Sequence, residues 1–229
     1  MEFTKLSNRL DLVASFVPAG ARLLDVGSDH AYLPIALLQE GKIEAAIAGE
    51  VVEGPYQSAL QNVADNGLED KIEVRLANGL AAFEPTDGIS CITIAGMGGR
   101  LIADILAAGF NKLANVSRLV LQPNNREDEL RSWLVDHNFR IVDEAILEEN
   151  EKFYEILVVE QGSQELSAKE LRFGPYLMRE QAPAFVQKWS KEVEKLAFAL
   201  EQVPVENQSA RALLEERIEQ IKEVLNASK

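Results

Sequence analysis

The stretch DVGSDHAYLP, residues 25–34, places two carboxylates and one glycine between an apolar, strand-like run and a helix-like run. A dinucleotide-binding loop at such a place carries three glycines and receives a pyrophosphate at the start of the next helix. Here Asp25 and Asp29 occupy that neighbourhood, and two anions about 4 Å apart repel by about 4 kcal/mol at an effective dielectric of 20. The loop therefore predicts a ligand without phosphate, which Gly27 allows to approach the backbone. The alternative is a helix-capping role for Asp29 and a turn role for Asp25.

A further acid, Glu50, ends the second strand-like run and is followed by Val51. It lies close to the place where nucleotide-binding folds put an acid that accepts two hydrogen bonds from a ribose diol. S-adenosylmethionine fits these acids better than NAD does. It has a ribose, an ammonium and a sulfonium but no phosphate, whereas NAD contains a pyrophosphate. An acid at a strand end is common, so this prediction rests on Glu50 together with the loop.

Two more strand ends carry short polar or glycine-rich sequences. The third ends in Asn78-Gly79, whose amide can bind an adenine amino group or can form a plain Asn-Gly turn. The fourth runs into a segment formed by Ala95, Gly96, Met97 and Gly98. We expect that segment to expose backbone donors and acceptors where cofactor and substrate meet. A phosphate nest and a tight turn before a helix are the alternatives, but no GxxxxGK(S/T) pattern accompanies the glycines.

The fifth strand-like run ends in Gln122-Pro123-Asn124-Asn125, which adds polar amides to the same rim. Gln122 and Asn124 are predicted to hold a base edge. Asn125 either joins them or caps the helix that follows.

The composition of the 229 residues, 47% apolar and 26% charged, is typical of a globular protein. No apolar run approaches the roughly 20 residues that span a bilayer, and the N-terminal segment lacks an apolar signal core. We therefore expect a cytoplasmic protein without membrane contact. One cysteine and two widely separated histidines predict neither a disulfide nor a metal site. The net charge of −14 argues against a nucleic-acid partner, although residues 161–229 hold 10 basic against 11 acidic residues.

Strand-like and helix-like segments alternate after an N-terminal helix. The predicted strands are 21–26, 43–49, 71–77, 89–95 and 117–122, and the predicted helices are 32–40, 54–66, 98–109 and 126–137. Two adjacent runs, 139–149 and 152–161, predict an antiparallel pair. The order predicts an α/β fold with a mostly parallel, doubly wound sheet of seven strands and an antiparallel last strand. By analogy, this Rossmann-like arrangement is typical of class I methyltransferases.

The composition shifts near residue 162, which predicts a cofactor-binding domain of residues 1–162 and a helical segment of residues 163–229. Two amphipathic helices separated by a short turn around Pro204 predict a coiled-coil-like hairpin. Five basic residues of this segment are predicted to contact phosphates: Arg172, Arg179, Lys188, Lys191 and Lys195. The three lysines share one helix face. The alternative is a solvated face, because acidic residues are interleaved with them.

The runs LLDVGSDHAYLPI, ITIAGMGGRLI and LVLQPNNREDELRSWL, followed by KFYEILVVE, resemble the bacterial tRNA (adenine-N1)-methyltransferase family TrmK, which modifies adenine 22. The resemblance extends over essentially the whole chain, including the helical hairpin. It implies a class I methyltransferase domain, S-adenosylmethionine as methyl donor and tRNA as acceptor, with no obligate protein partner. It departs at Asn78-Gly79, where the family pattern has Asp-Gly, although an amide oxygen still accepts a hydrogen bond.

The implied reaction needs little acid–base chemistry, because N1 of adenine carries an in-plane lone pair. Alignment should therefore dominate catalysis. Methyl transfer leaves a cationic base, for which Asp29 is the predicted electrostatic stabiliser. His30 and Asn124 are the predicted positioning groups. Extruding the base from its stack costs a few kcal/mol, and we expect the helical segment to supply the compensating contacts.

Two other functions compete with this one. A methyltransferase of the same fold that acts on a small molecule or a protein predicts turnover without RNA and no role for the helical segment. A non-catalytic binding module predicts no methyl transfer, and the compact polar set on three strand ends argues against it. The residues alone do not separate the two methyltransferases; the resemblance favours tRNA.

Overall fold

In the computed structural model, which describes residues 4–227, seven strands form one sheet. In chain order they are β1 Ala21–Val26, β2 Ile43–Glu50, β3 Ile72–Leu76, β4 Cys91–Met97, β5 Arg118–Pro123, β6 Phe139–Glu149 and β7 Lys152–Gln161. The sheet order is β3-β2-β1-β4-β5-β7-β6. The first five strands are mutually parallel, and β7 is antiparallel to both β5 and β6. The predicted sheet, with its single antiparallel strand, is confirmed.

Helices cover both faces of the sheet. The helices before the last two strands are α1 Asn8–Phe16, α2 Tyr32–Gln39, α3 Glu53–Asp65, α4 Gly99–Ala108 and α5 Glu127–Asp136. Helices α1, α2 and α3 contribute to the apolar core on one face, and α4 and α5 contribute to the core on the other. The bounds of the predicted elements in this part agree with the structure to within two residues.

The strand order reverses between β1 and β4, which are neighbours although β2 and β3 separate them in the chain. In open α/β sheets, ligands bind beyond the carboxyl ends of the strands at such a reversal. The loops after β1 and β4 therefore face a common crevice. This places the segments singled out in the sequence at one end of the molecule.

The C-terminal segment is helical from residue 168. Its helices are α6 Ala168–Phe173, α7 Pro175–Glu180, α8 Pro183–Gln202 and α9 Gln208–Asn226. The last two form the predicted hairpin, and Trp189, Leu196 and Ile221 share an apolar cluster with Ile146 of β6. The hairpin thus packs on the outer strand of the sheet. Within the described residues, no helix combines the length and apolar character needed to cross a membrane.

A buried ion cluster also joins the C-terminal helices to the sheet. Arg131 of α5 has a fully buried guanidinium that contacts the carboxylate of Glu144 at 2.8 Å and that of Glu155. The Lys188 ammonium on α8 lies 2.6 Å from Glu155 and 3.0 Å from Glu127. Burial lowers the pKa of Lys188, but these two carboxylates outweigh it and hold the pKa above its usual value. Lys188 is therefore engaged within the protein, which the sequence prediction of a phosphate contact did not anticipate.

Candidate active site

The loop between β1 and α2 adopts a conformation that side chains seldom allow. Asp29, His30 and Ala31 are consecutive non-glycine residues with φ of 44°, 70° and 60°. Backbone of this kind costs free energy in non-glycine residues, and it is enriched at functional sites. Ala31 is fully buried, and the Asn62 side chain donates a 3.0 Å hydrogen bond to the His30 carbonyl. The loop is thus held in place, and the Asp29 carboxylate projects from it with 83% of its side chain exposed.

Asp25 holds the base of the same loop. It is buried, and its carboxylate accepts hydrogen bonds of 2.6 Å from both the Ser28 and the Thr93 hydroxyls. Burial raises the pKa of Asp25, and the two hydroxyls oppose that rise. Gly27 has φ of 66°, and a Cβ there would collide with the Met97 side chain. Asp25 and Gly27 therefore shape the loop so that its backbone lines the crevice.

Glu50 provides the strongest local indication of a ligand. Its side chain is buried, yet its Oε1 atom has no hydrogen-bond partner within the described part of the chain. Burial raises the pKa of Glu50, the Asp29 backbone amide opposes the rise, and the charges of Asp25 and Asp29 add to it. A buried acceptor without a partner carries a desolvation penalty that a ligand hydroxyl would remove. The donor set of a ribose diol fits this carboxylate.

The predicted adenine contacts lie beside Glu50. The Ala77 amide donates a 2.7 Å hydrogen bond to the Glu50 carbonyl, which brings Asn78 next to the end of β2. Asn78 and Gly79 line a cavity of about 270 Å³ with Leu101 and Ile105 of α4. Val51 exposes 57% of its surface at the same end of β2. Leu101 and Ile105 give this cavity apolar walls that suit an adenine ring, and Asn78 adds an amide to the lining.

The ends of β4 and β5 are joined through Gln122. Its Oε1 accepts from Arg9 at 2.6 Å and from the Gly96 amide at 3.0 Å, and its Nε2 donates to Asn124 Oδ1 at 3.1 Å. Gln122 is fully buried, so it positions the rim and does not present an amide to RNA, in contrast to the sequence prediction. Asn124 Nδ2 donates to the Gly96 carbonyl at 2.7 Å. A carboxamide carries two such hydrogens, and the second has no acceptor within residues 4–227, so it can bind a ligand.

Two cavities meet at this rim. The smaller has a volume of about 360 Å³ and is lined by four residues that were not predicted, Arg9, Leu10, Ser28 and Tyr154. Its other lining residues belong to the predicted site: Asp25, Gly27, Asp29, Ala95, Gly96, Met97 and Asn124. The larger, of about 850 Å³, lies between the rim and α8. Asn125 lines the larger cavity and makes no side-chain cap for α5, so its capping alternative is not what the structure shows.

Most of the predicted RNA-binding cations face the larger cavity. Arg172, Lys191 and Lys195 line it, as does the internally paired Lys188. Lys191 and Lys195 are exposed; Lys191 pairs with Glu148 at 3.1 Å, and Lys195 pairs with Glu192 at 3.3 Å. Arg179 is exposed but is not among the lining residues. Among residues 4–227, no cluster of His, Cys, Asp and Glu side chains is arranged to hold a metal ion.

The family is shown by comparison with known proteins. The family model TrmK, described as tRNA (adenine(22)-N(1))-methyltransferase, matches residues 23–223. The tRNA (adenine(22)-N(1))-methyltransferase of Bacillus subtilis is 41% identical over 238 residues and is covered over 99% of both chains. This chain belongs to the TrmK family.

Solved structures share the whole TrmK architecture. A Streptococcus pneumoniae protein in complex with S-adenosyl-L-methionine is 66% identical, with a TM-score of 0.91 over 97% of this chain and 100% of that chain. The TrmK of M. capricolum, in complex with S-adenosyl-homocysteine, is 29% identical, with a TM-score of 0.84 over 96% of this chain and 98% of that chain. The fold and the helical hairpin are therefore common features of these TrmK relatives.

Ser28, Thr93, Arg9 and Tyr154 are site residues of this TrmK-family chain that were not predicted from its sequence. Ser28 and Thr93 bind the Asp25 carboxylate, and Arg9 and Tyr154 line the smaller cavity. Ser28 lies inside the DVGSDHAYLP loop, and that position was a signal that it belongs to the site. The other three reach the site from β4, α1 and β7, and no local pattern marks them.

The Glu50→Gln substitution tests the assignment of the ribose carboxylate in this TrmK-family site. A carboxyl whose pKa is raised on folding stabilises the folded state only at low pH, and that contribution disappears as the pH rises through the folded pKa. At pH values above its raised folded pKa, the ionised Glu50 therefore destabilises the ligand-free protein, and Glu50→Gln should raise the thermal midpoint there. The same change should weaken S-adenosylmethionine binding by roughly 10- to 100-fold, because charge-assisted hydrogen bonds to the ribose are lost.

Thermal unfolding with and without S-adenosylmethionine, together with calorimetric titration, checks both effects. Glu53→Gln is the matched control, since Glu53 is an exposed acid three residues further along. Unchanged cofactor affinity in Glu50→Gln would contradict the assignment.

Proposed function

We propose that this chain methylates N1 of adenine 22 in tRNA with S-adenosylmethionine as the donor, acting in the cytoplasm. Membership of the TrmK family supports the reaction. The observation that carries the proposal is the buried Glu50 carboxylate, whose Oε1 atom has no hydrogen-bond partner among residues 4–227 and which lies at the same sheet edge as the exposed Asp29 carboxylate. Residues 1–162 form the cofactor-binding domain in this proposal, and residues 163–229 contribute to tRNA binding.

The cofactor residues fall into three groups. Glu50 accepts hydrogen bonds from the ribose diol, with Val51 beside it. Asn78 and Gly79 bound the adenine slot. The remaining contacts come from the loops that follow β1 and β4, namely Asp25, Gly27, Asp29, Ala95, Gly96, Met97 and Gly98. Carboxylates near a sulfonium and an ammonium favour a cationic ligand.

The chemistry is direct displacement. S-adenosylmethionine supplies an electrophilic methyl group. The lone pair of adenine N1 forms the new N–C bond as the S–C bond breaks, and the electrons of the S–C bond remain on sulfur. Asp29 stabilises the positive charge that develops on the base. Asn124 directs its remaining amide hydrogen at the base, and His30 lies 3.4 Å from Asp29 and orients that carboxylate. No side chain needs to remove a proton before the attack.

The tRNA approaches along the larger cavity in this proposal, where Lys191, Lys195 and Arg172 contact phosphates. The Lys191→Glu/Lys195→Glu variant should raise the KM for tRNA at least tenfold, because each reversal removes a phosphate contact and adds a repulsive charge. Affinity for S-adenosylmethionine should not change. The salt dependence of tRNA binding should become shallower by about one to two units in the log–log slope.

Lys188 is left intact in that test, since reversing it would place another acid against Glu155 and Glu127 and disturb the fold. Lys169→Glu/Lys222→Glu provides the matched control, because both lysines belong to the helical segment and neither lines the cavity. An equal loss of tRNA affinity in the control, or none in the test variant, would contradict this route for the RNA.

The reaction itself is tested with the wild-type protein, labelled S-adenosylmethionine and an unmodified tRNA transcript. The expected product is 1-methyladenosine, located by primer-extension arrest at position 22 and identified by mass spectrometry of nucleosides. Methylation at another position or nitrogen would overturn the proposal, as would the absence of methyl transfer to several different tRNA transcripts.

A further inference from the structure

Tyr154 stands at the junction of the two cavities. It lies near the start of β7, and it lines both the smaller cavity beside Asp29 and the larger cavity beside α8. Asn124 is also shared by the two cavities. The Tyr154 ring is half-buried, so part of it is accessible to a molecule that extends from one cavity into the other.

The position of the Tyr154 ring is tied to the rim of the site. The Arg9 guanidinium lies over this ring at 5.6 Å from its centroid. The same guanidinium donates to Gln122 at 2.6 Å, and Gln122 in turn binds Gly96 and Asn124. A cation over an aromatic ring is attracted to its π-face. The ring and the Asn124 amide are therefore held in one hydrogen-bonded and cation–π arrangement.

The larger cavity has the mixture of groups that binds unstacked nucleic acid. Phe153 precedes Tyr154 and has the Lys191 ammonium 4.9 Å from its ring centroid. Lys152 and Arg172 add two more cations to the lining. Aromatic surfaces interleaved with cations bind bases by stacking and phosphates by charge. Tyr154 and Asn124 line both cavities, so a nucleotide whose phosphates lie in the larger cavity can extend its base past these two side chains toward Asp29.

We propose that the Tyr154 ring is the surface on which the extruded target adenine stacks, with the second Asn124 amide hydrogen at the edge of the base. This inference rests on the proposed function and adds a substrate-binding residue to it. Stacking on a fixed ring compensates for the stacking that the base loses when it leaves the tRNA. Arg9 acts through Tyr154 and Gln122, which makes it a positioning residue.

Three substitutions at Tyr154 distinguish stacking on its ring from simple packing of its side chain in the cavity wall. Tyr154→Leu keeps an apolar side chain without a π-face, Tyr154→Ala removes the bulk, and Tyr154→Phe retains the ring without the hydroxyl. The leucine and alanine variants should lower the single-turnover methylation rate at saturating tRNA and S-adenosylmethionine by roughly 10- to 100-fold. The phenylalanine variant should restore the rate to within about threefold of the wild-type value. The Kd for S-adenosylmethionine and the thermal midpoint should stay close to wild type in all three.

Several results would overturn the stacking role of Tyr154, and each can be told apart from a failure of the proposed reaction. A leucine variant with the wild-type rate would overturn the stacking role, and so would a phenylalanine variant as slow as the alanine variant. A loss of cofactor affinity or folding stability that accounts for the slower rate would make Tyr154 a structural residue and likewise overturn the inference. If the wild-type protein itself produces no 1-methyladenosine, the proposed function fails first, so the two failures are distinguishable.

Discussion

The Asp29→Asn variant is expected to methylate tRNA about 100-fold more slowly than the wild-type protein in a single turnover at saturating substrates. The substitution removes the charge that stabilises the cationic base but keeps the size and the hydrogen-bonding oxygen of the side chain. Asparagine also tolerates left-handed backbone well, and Asp29 has φ of 44°. The loop should therefore keep its shape, which Asp29→Ala would not ensure.

The rate loss should belong to the chemical step. We expect the Kd for S-adenosylmethionine to change by less than about fivefold, since an amide oxygen still accepts a hydrogen bond. Asp65→Asn, at the end of α3, is the matched control for loss of one acidic charge. A wild-type rate in Asp29→Asn would move the electrostatic role to another group, and a parallel loss of cofactor affinity would make Asp29 a binding residue only.

The Arg131→Met variant is expected to lose about 3–5 kcal/mol of unfolding free energy. The change leaves the buried carboxylates of Glu144 and Glu155 without their shared guanidinium. It also removes the contact from Arg131 to the Leu171 carbonyl at 3.2 Å, which ties α6 to α5. For a chain of this length such a loss lowers the thermal midpoint by roughly 6–20 °C, which calorimetry or circular dichroism measures directly.

The exposed Arg140 supplies the control. Its side chain is 52% exposed and pairs with Glu160 at 3.2 Å, and exposed pairs contribute roughly 0–1 kcal/mol. Arg140→Met should therefore change the midpoint little. Adding Glu144→Gln to Arg131→Met should recover part of the loss, because one uncompensated buried charge is removed. Equal midpoints for Arg131→Met and Arg140→Met would show that the ion cluster does not hold the C-terminal helices to the sheet.

The sheet, its order of elements and the cofactor loop were predictable because their signals are local. Alternating apolar runs and their lengths specify strands and crossover helices. The acids of DVGSDHAYLP, and Glu50 after the second strand, stand at strand ends that parallel topology brings to one edge. The carboxylates that exclude a pyrophosphate are visible in the sequence itself. Their different tasks are not visible, and the structure assigns Asp25 to the loop framework and exposes Asp29.

The site features that could not be predicted depend on contacts between segments far apart in the sequence. Arg9 reaches Gln122 across 113 residues, and Thr93 reaches Asp25 across 68. Lys188 was predicted to contact phosphates because it shares a helix face with Lys191 and Lys195. That face instead packs toward the sheet at Lys188, where Glu155 and Glu127 receive the ammonium. Helical periodicity specifies which residues share a face, whereas only tertiary packing decides what the face meets.

N1 of adenine 22 is the proposed methyl acceptor, and a tRNA in which that one atom is replaced tests this role. Two tRNA molecules are compared, one with adenosine at position 22 and one with 1-deazaadenosine, in which a C–H group replaces N1. The wild-type protein should transfer one labelled methyl group to the first and none to the second, while binding both with similar affinity. Equal methylation of the 1-deazaadenosine tRNA would show that the acceptor is an atom other than N1 and would overturn the proposed reaction.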